Sequence, residues 1–286
     1  MKTVAFVGLG VMGRPMSEHL ARAGFSVRSF DLKAKGNCAS LREAVQGADV
    51  LVTMLPDGDA VRDVLLEALP SLEKSSIVID ASSADPAGTR ALGDALAARG
   101  IEMVDAPVSG AVVGAREASL TFMVGGSESA FKKAKPVLAA MGKQIFHVGP
   151  LGAGHAVKAL NNYLGAAGTL AGFEALLVAR AFGLDPKPML EAINASTGRN
   201  STTERKIARD VLTGAYASGF KLALMAKDVG IAAQLARGLG VEAPFLKATL
   251  KAWRAAQREL PAGADHSEIY KYQEKVAGKK RQPKRR

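Results

Sequence analysis

The tightest constraint lies at the N-terminus. A short apolar run, Val4 to Val7, leads straight into Gly8-Leu9-Gly10-Val11-Met12-Gly13, and helical periodicity begins after the last glycine. Glycines at that spacing, with a strand before and a helix after, leave few folds open. Gly8 permits a tight turn, Gly10 lets the backbone approach a ligand, and Gly13 lets the helix close onto the strand. Asp31 follows the next apolar run, Phe25 to Phe30, about 20 residues on. Together these make the pattern that seats a dinucleotide pyrophosphate at a helix N-terminus, where free N–H groups and the helix dipole favour an anion. Pro15 in the first turn suits that start, because its missing N–H costs nothing there. A carboxylate at position 31 holds ribose hydroxyls and repels a 2′-phosphate, so NAD is the expected cofactor. NADP is the second option, since Lys33 and Lys35 stand close by and soften that repulsion.

Further strand candidates are Val50 to Leu55, Ile77 to Asp80, Ile101 to Val104, Thr121 to Val124 and Ile145 to Val148, with helical patterns such as 59–69 and 86–99 between them. This βαβ alternation predicts a parallel sheet with helices on both faces. Beyond Gly152 the strand-like runs stop and long helical patterns take over. The fold class is therefore an α/β Rossmann-type doubly wound domain over residues 1–150, followed by an all-helical domain over 151–276. A disordered basic tail is expected over 277–286.

That tail holds much of the net charge of +11: Lys279, Lys280, Arg281, Lys284, Arg285 and Arg286 are basic, and without them the surplus falls to five. A solvated end is the expected role of this tail, and nucleic acid is not expected as a partner except through it. The body has only 5% aromatic residues and no interleaving of aromatic with basic positions, which speaks against nucleic-acid binding by the folded part. The single cysteine, Cys38, cannot form an internal disulfide. No signal peptide and no uncharged apolar stretch of membrane-spanning length stand out, so a cytoplasmic protein without a membrane partner is expected; no metal site is expected either.

The second constraint is GAGHAVKALNN, Gly152 to Asn162, which opens an apolar stretch whose only later charges are Glu174 and Arg180. Lys158 and Asn162 are four apart and share one helical face, with Asn161 beside them. A lysine among apolar side chains has its charged form disfavoured by desolvation, which moves its pKa down toward working pH and suits it to acid–base work. The plain alternative is a lysine whose stem packs on apolar surface while its amine reaches water.

Taken in order, GLGVMGRPM, MLPDGD, IDASSADP, DAPVSGA, KALNN and MAKDVG resemble the β-hydroxyacid dehydrogenases, the group that includes 3-hydroxyisobutyrate dehydrogenase and tartronate semialdehyde reductase. The resemblance runs from residue 3 to about 276. It implies a Rossmann domain joined to a helical domain, an active site in the cleft between them, and hydride transfer between NAD(P) and a short 3-hydroxy acid or its semialdehyde. By the same resemblance Lys158 is the catalytic lysine and Asn162 a catalytic asparagine that helps bind substrate, with Asn161 beside them. Ser109, Gly110 and Ala111 hold the substrate carboxylate. Leu55, Pro56 and Ser83 lie along the cofactor with the glycine loop, and Lys227 and Asp228 close on cofactor and substrate.

Three departures from the family pattern stand out. The stretch between Asp31 and the Ser40–Val45 helical segment is shorter than usual. The family's second glycine after PVS-Gly is Ala111 here, which either shrinks the substrate pocket or is accommodated at negative φ; Ala118 and Ser119 likewise replace a Gly-Thr pair. Arg199 and Asn200, in NASTGRNSTTERK, are candidates for a substrate's distal polar group or else part of a capped interhelix loop. Asp185-Pro186, Asp265 and Ser267 look like helix-capping residues. The small residues Ala166, Ala167, Gly168, Ala171 and Gly172 suggest close approach by another helix, and with it a homodimer or homotetramer. Two other readings stay open: an imine reductase, which the intact Lys158 opposes, and a non-catalytic cofactor-binding module that uses the basic tail.

Overall fold

A computed structural model describes residues 2–279, with the backbone alone at Lys279. Of the tail expected to be disordered, residues 277–279 continue the last helix instead, and residues 280–286, with the expectation of disorder and nucleic-acid contact there, lie outside the described residues. The chain divides into two compact units, Met1–Lys158 and Ala159–Arg286.

In the first unit β1 (Thr3–Val7), α1 (Gly13–Arg22), β2 (Ser26–Phe30), α2 (Leu41–Val45), β3 (Val50–Thr53), α3 (Gly58–Ala68), β4 (Ile77–Asp80), α4 (Pro86–Ala97) and β5 (Glu102–Asp105) alternate. Then come β6 (Val108–Ser109), α5 (Ala111–Arg116), β7 (Leu120–Gly125), α6 (Glu128–Ala139) and β8 (Gly142–Gly149). The sheet order is β2-β1-β3-β4-β5-β7-β6, with β8 paired to β7. Strands β1 to β5 are parallel. The expected parallel sheet becomes mixed beyond them, because β7 runs antiparallel to both β5 and β6. The cause is β6, a two-residue strand too short to leave a periodic signal.

Alternation along the buried strands supplies the two faces. Val4 and Phe6 of β1, with Val50, Val52, Ile77 and Ile79, pack with Met16 and Leu20 of α1 and Val137 and Leu138 of α6. Ala5 and Val7, with Leu51 and Val78, pack with Leu41, Val61, Leu65 and Leu96 of α2, α3 and α4. Strand order reverses direction between β1 and β3, and the loops after those two strands flank the crevice where open α/β sheets take their ligands.

The thirty-residue helix α7 (Ala153–Phe182) contains the boundary between the units. Beyond it lie α8 (Pro186–Asn194), a π-helix at Thr202–Val211, α9 (Leu222–Gly238), α10 (Pro244–Glu259), a 3₁₀ turn at His266–Glu268 and α11 (Ile269–Lys279). Trp253 and Phe173 are fully buried at the centre of this second core, and the Trp253 indole N–H donates to the Ala166 carbonyl at 3.3 Å. Among the described residues α7 is the one helix long and apolar enough to cross a membrane by length and composition, a property it shares with core helices of soluble proteins.

Two of the small residues of α7 meet the start of this chain's own π-helix. A Cβ on Gly172 would lie 3.0 Å from Thr202 Cγ2, and one on Gly168 3.7 Å from the Asn200 amide. Ala171 is exposed, as are the large Leu164, Val178 and Phe182. Asp185 caps α8 with Pro186 in its first turn, and Asp265 forms a capping box with Glu268.

Candidate active site

The glycine loop meets the steric demands of its pattern. Gly8 has φ of 102°, and a Cβ there would sit 2.3 Å from the Met54 carbonyl oxygen. A Cβ on Gly13 would reach within 1.9 Å of the Gly8 carbonyl oxygen, so helix and loop close only over hydrogen. A Cβ on Gly10 would meet nothing within 4 Å, which leaves its backbone open to a ligand. Helix α1 has no side-chain cap and no acidic residue in its first turn, leaving its positive end unspent. These residues fit a dinucleotide pyrophosphate.

Within the loop Val11 projects outward, whereas the Leu9 side chain is buried and Met12 packs on the core. Leu9 contributes through its backbone, since its N–H donates to Asp31 Oδ2 at 2.7 Å. Asp31 Oδ1 accepts from the Lys33 and Ala34 N–H groups at 2.7 and 2.8 Å. Partial burial works to raise the Asp31 pKa, but these three backbone donors and nearby Arg14 outweigh it and hold the carboxyl below its ordinary value. Arg14 also donates to the Lys35 carbonyl at 3.1 Å, so it is a third cation near Asp31 that sequence reading passed over. On the neighbouring loop, the Leu55 N–H donates to Ser82 Oγ at 2.9 Å, joining the Leu55-Pro56 segment to the Ser82-Ser83 segment.

Ser109 closes β6, opposite Thr121 of β7. Gly110 follows with φ of 128° and Ala111 with φ of 54°. The negative φ considered for Ala111 is therefore corrected: the alanine is held in the left-handed region, as is Ala118 at 49°. Each holds a Cβ in that region at a cost of about 1–2 kcal/mol.

On α7, Lys158 is half-buried, Asn161 exposed and Asn162 8% exposed. Lys158 thus stands less deeply in apolar surroundings than the sequence suggests. The Asn162 amide donates to Asp228 Oδ2 at 2.6 Å, and Asn162 Oδ1 accepts from the Asn161 amide at 3.2 Å. A carboxylate only accepts, so Asp228 fixes which end of the Asn162 amide faces it. Lys227 Nζ lies 3.4 Å from Asp228 Oδ1. Asn200 caps the π-helix, its Oδ1 accepting from the Thr202 N–H at 2.9 Å, and Arg199 lies 3.6 Å from Glu204.

Sequence reading missed a buried polar cluster where β3, β4 and β5 end. Thr53 Oγ1 donates to Asp80 Oδ1 at 2.9 Å, and the Gly152 and His155 N–H groups each donate to the Asp105 carboxylate at 2.7 Å. Its signal was an aspartate closing each of two apolar strands and a histidine three residues before Lys158.

Comparison with known proteins gives the chemistry its class. Residues 3–149 match the NAD binding domain of 6-phosphogluconate dehydrogenase, and residues 152–273 match the NAD-binding domain of NADP-dependent 3-hydroxyisobutyrate dehydrogenase. The NAD-dependent L-serine dehydrogenase of Pseudomonas aeruginosa is 37% identical, over 95% of this chain and 97% of its own. The chain belongs to the β-hydroxyacid dehydrogenase family. A 2-(hydroxymethyl)glutarate dehydrogenase of Eubacterium barkeri is 34% identical over 96% of each chain. The structure of a Mycobacterium tuberculosis 3-hydroxyisobutyrate dehydrogenase with L-serine superposes with a TM-score of 0.89 at 34% identity, covering 96% of this chain and 99% of that one. The enzyme is an oxidoreductase that acts on the CH–OH group of a hydroxyacid with a nicotinamide dinucleotide.

Proposed function

We propose that this enzyme oxidises a short 3-hydroxy acid, of the size of 3-hydroxyisobutyrate or serine, or reduces the matching semialdehyde, with Lys158 moving the hydroxyl proton. The observation that carries the reading is the pairing of Lys158 with Asn162 one turn later on α7, where Asp228 grips the Asn162 amide at 2.6 Å. Lys158 takes the proton from the substrate hydroxyl in oxidation and returns it in reduction. The second hydrogen of the Asn162 amide donates to the same hydroxyl's oxygen and orients it, while Asp228, which takes the first, acts through Asn162 as a positioning residue. The backbone at Ser109, Gly110 and Ala111, with two successive positive φ angles, offers N–H groups to the substrate carboxylate. A bound nicotinamide supplies the hydride acceptor. Gly8 to Gly13, Leu55, Pro56, Ser83 and Lys227 are the residues we assign to it, and Asp31, with its lowered pKa, favours NAD over NADP.

The test is reduced-nicotinamide absorbance with a panel of 2- and 3-hydroxy acids and each cofactor. Turnover confined to 3-hydroxy acids and faster with NAD is expected; tight NAD binding without turnover on any of them contradicts the reading. We also place the protein in the cytoplasm as a homodimer or homotetramer. Exposed Leu164, Val178 and Phe182, four and fourteen residues apart on α7, support that assembly, and light scattering of the full chain tests it.

A further inference from the structure

His155 is 1% exposed, with Asp80 and Asp105 both fully buried beside it. Its Nε2 lies 3.2 Å from the Ser82 carbonyl oxygen, which can only accept. Its Nδ1 lies 2.8 Å from Thr89 Oγ1. That hydroxyl also lies 3.0 Å from the Asp85 carbonyl oxygen, which takes its single hydrogen when the ring nitrogen donates to it. Each ring nitrogen thus has an oxygen within reach that can accept, and only the imidazolium has an N–H for each. Charge points the same way. Asp80 Oδ2 lies 3.7 Å from Nε2, and Asp105 Oδ2 lies 3.7 Å from Nδ1. Asp80 Oδ2 is buried with no hydrogen-bond partner, so the ring is the charge that compensates it.

The cluster also holds the helix that carries Lys158. Asp105 accepts from the Gly152 and His155 N–H groups at the start of α7. A Cβ on Gly154 would sit 2.2 Å from the Met123 carbonyl oxygen, so this turn is pressed onto the end of the sheet. The same ring touches the Ser82 carbonyl, and Ser82 Oγ accepts from the Leu55 N–H.

We propose that His155 is held as an imidazolium between Asp80 and Asp105, and that it is a positioning residue fixing Lys158 against the Ser82-Ser83 loop. The positioning role rests on the reading of Lys158 as the proton-transfer group; the charge state does not. Other charged groups on the elements around the ring include Asp85, which caps α4, Arg90, which donates to the Leu151 carbonyl, Asp94 farther along α4, Glu102 at the start of β5, and Lys158 itself.

The experiment labels the histidines of the full-length enzyme with ¹⁵N and follows the ring nitrogens by NMR from pH 6 to 9, with and without NAD. His155 is assigned as the signal missing in His155→Gln or, if that variant does not fold, by elimination with His19→Gln, His147→Gln and His266→Gln. Both His155 nitrogens protonated at neutral pH is the expected result. A single protonated nitrogen at neutral pH overturns the proposal. In kinetics, His155→Gln is expected to lower kcat by about tenfold or more, the scale of a small misplacement of a reacting group, with NAD affinity kept. Asp80→Asn added to it is expected to recover most of the loss by removing the uncompensated charge. An unchanged kcat in His155→Gln, or no recovery in a folded double variant, contradicts the positioning role. Failure of the Lys158 reading shows separately, as activity surviving Lys158→Ala while the NMR result stands.

Discussion

Each unit buries a histidine, and the two meet opposite surroundings. His155 in the first has an oxygen within hydrogen-bond reach of each ring nitrogen and a carboxylate 3.7 Å to either side. His266 in the second stacks near Trp253 and lies 2.7 Å from Ser218 Oγ. Burial, followed by the nearby charge of Lys206, pushes its pKa down to about 4, so the ring is neutral at ordinary pH although Asp265 adjoins it. Lys206 is shifted in the same sense, down to about 8, chiefly by burial, with its amine 2.7 Å from Thr169 Oγ1. The first unit keeps a buried charge by surrounding it with opposite charge; the second disfavours charge at His266 and Lys206. A buried histidine is therefore read by counting its acceptors and its neighbours' charges, not by its burial.

The largest expected effect separates the two rings directly. His155→Leu leaves Asp80 and Asp105 buried without their counter-charge and is expected to cost about 3–5 kcal/mol in urea unfolding. His266→Leu removes hydrogen bonds from a neutral ring and is expected to cost about 1–3 kcal/mol. Equal losses would break the comparison.

The pH dependence sharpens it. The unfolded state protonates His266 near 6.5 and the folded state only near 4, so the unfolded chain binds more protons between those values. Stability from His266 is then complete above pH 6.5 and lost as pH falls toward 4. For Lys206 the same sign applies higher up: stability climbs as pH rises from about 8 to 10.5, by up to about 3 kcal/mol. Thermal unfolding against pH measures both limbs, and Lys206→Met should flatten the alkaline one. A stability that falls across pH 8 to 10 would contradict the assignment.

The smallest effect concerns backbone rather than charge. Ala118→Gly relieves a left-handed alanine and is expected to raise stability by about 1 kcal/mol. Ala111→Gly should do the same and also change KM for the hydroxy acid, since it reshapes the segment assigned to the carboxylate.

Which of these features the sequence announces follows from where their physics resides. The glycine loop was legible because its steric needs are met by one residue type, and the close approaches at Gly8 and Gly13 bear that out. Strands β1 to β5 were legible from apolar runs between helical patterns. The antiparallel turn at β6 was not, because two residues carry no period. Lys158 and Asn162 stood out as polar residues in an apolar run, but Asp228, which orients Asn162, lies 66 positions away. The His155 cluster draws on strand ends that become neighbours only through the sheet order. Nothing in an alanine's chemistry announces φ of 54°, so the strain at Ala111 appeared only in the backbone.

The central claim is that Lys158 moves the proton. The direct measurement is Lys158→Ala, assayed for kcat on a 3-hydroxy acid and, separately, for NAD affinity by fluorescence titration. A fall in kcat of about 10²–10⁴-fold with NAD affinity unchanged is predicted. Retained kcat would contradict the account.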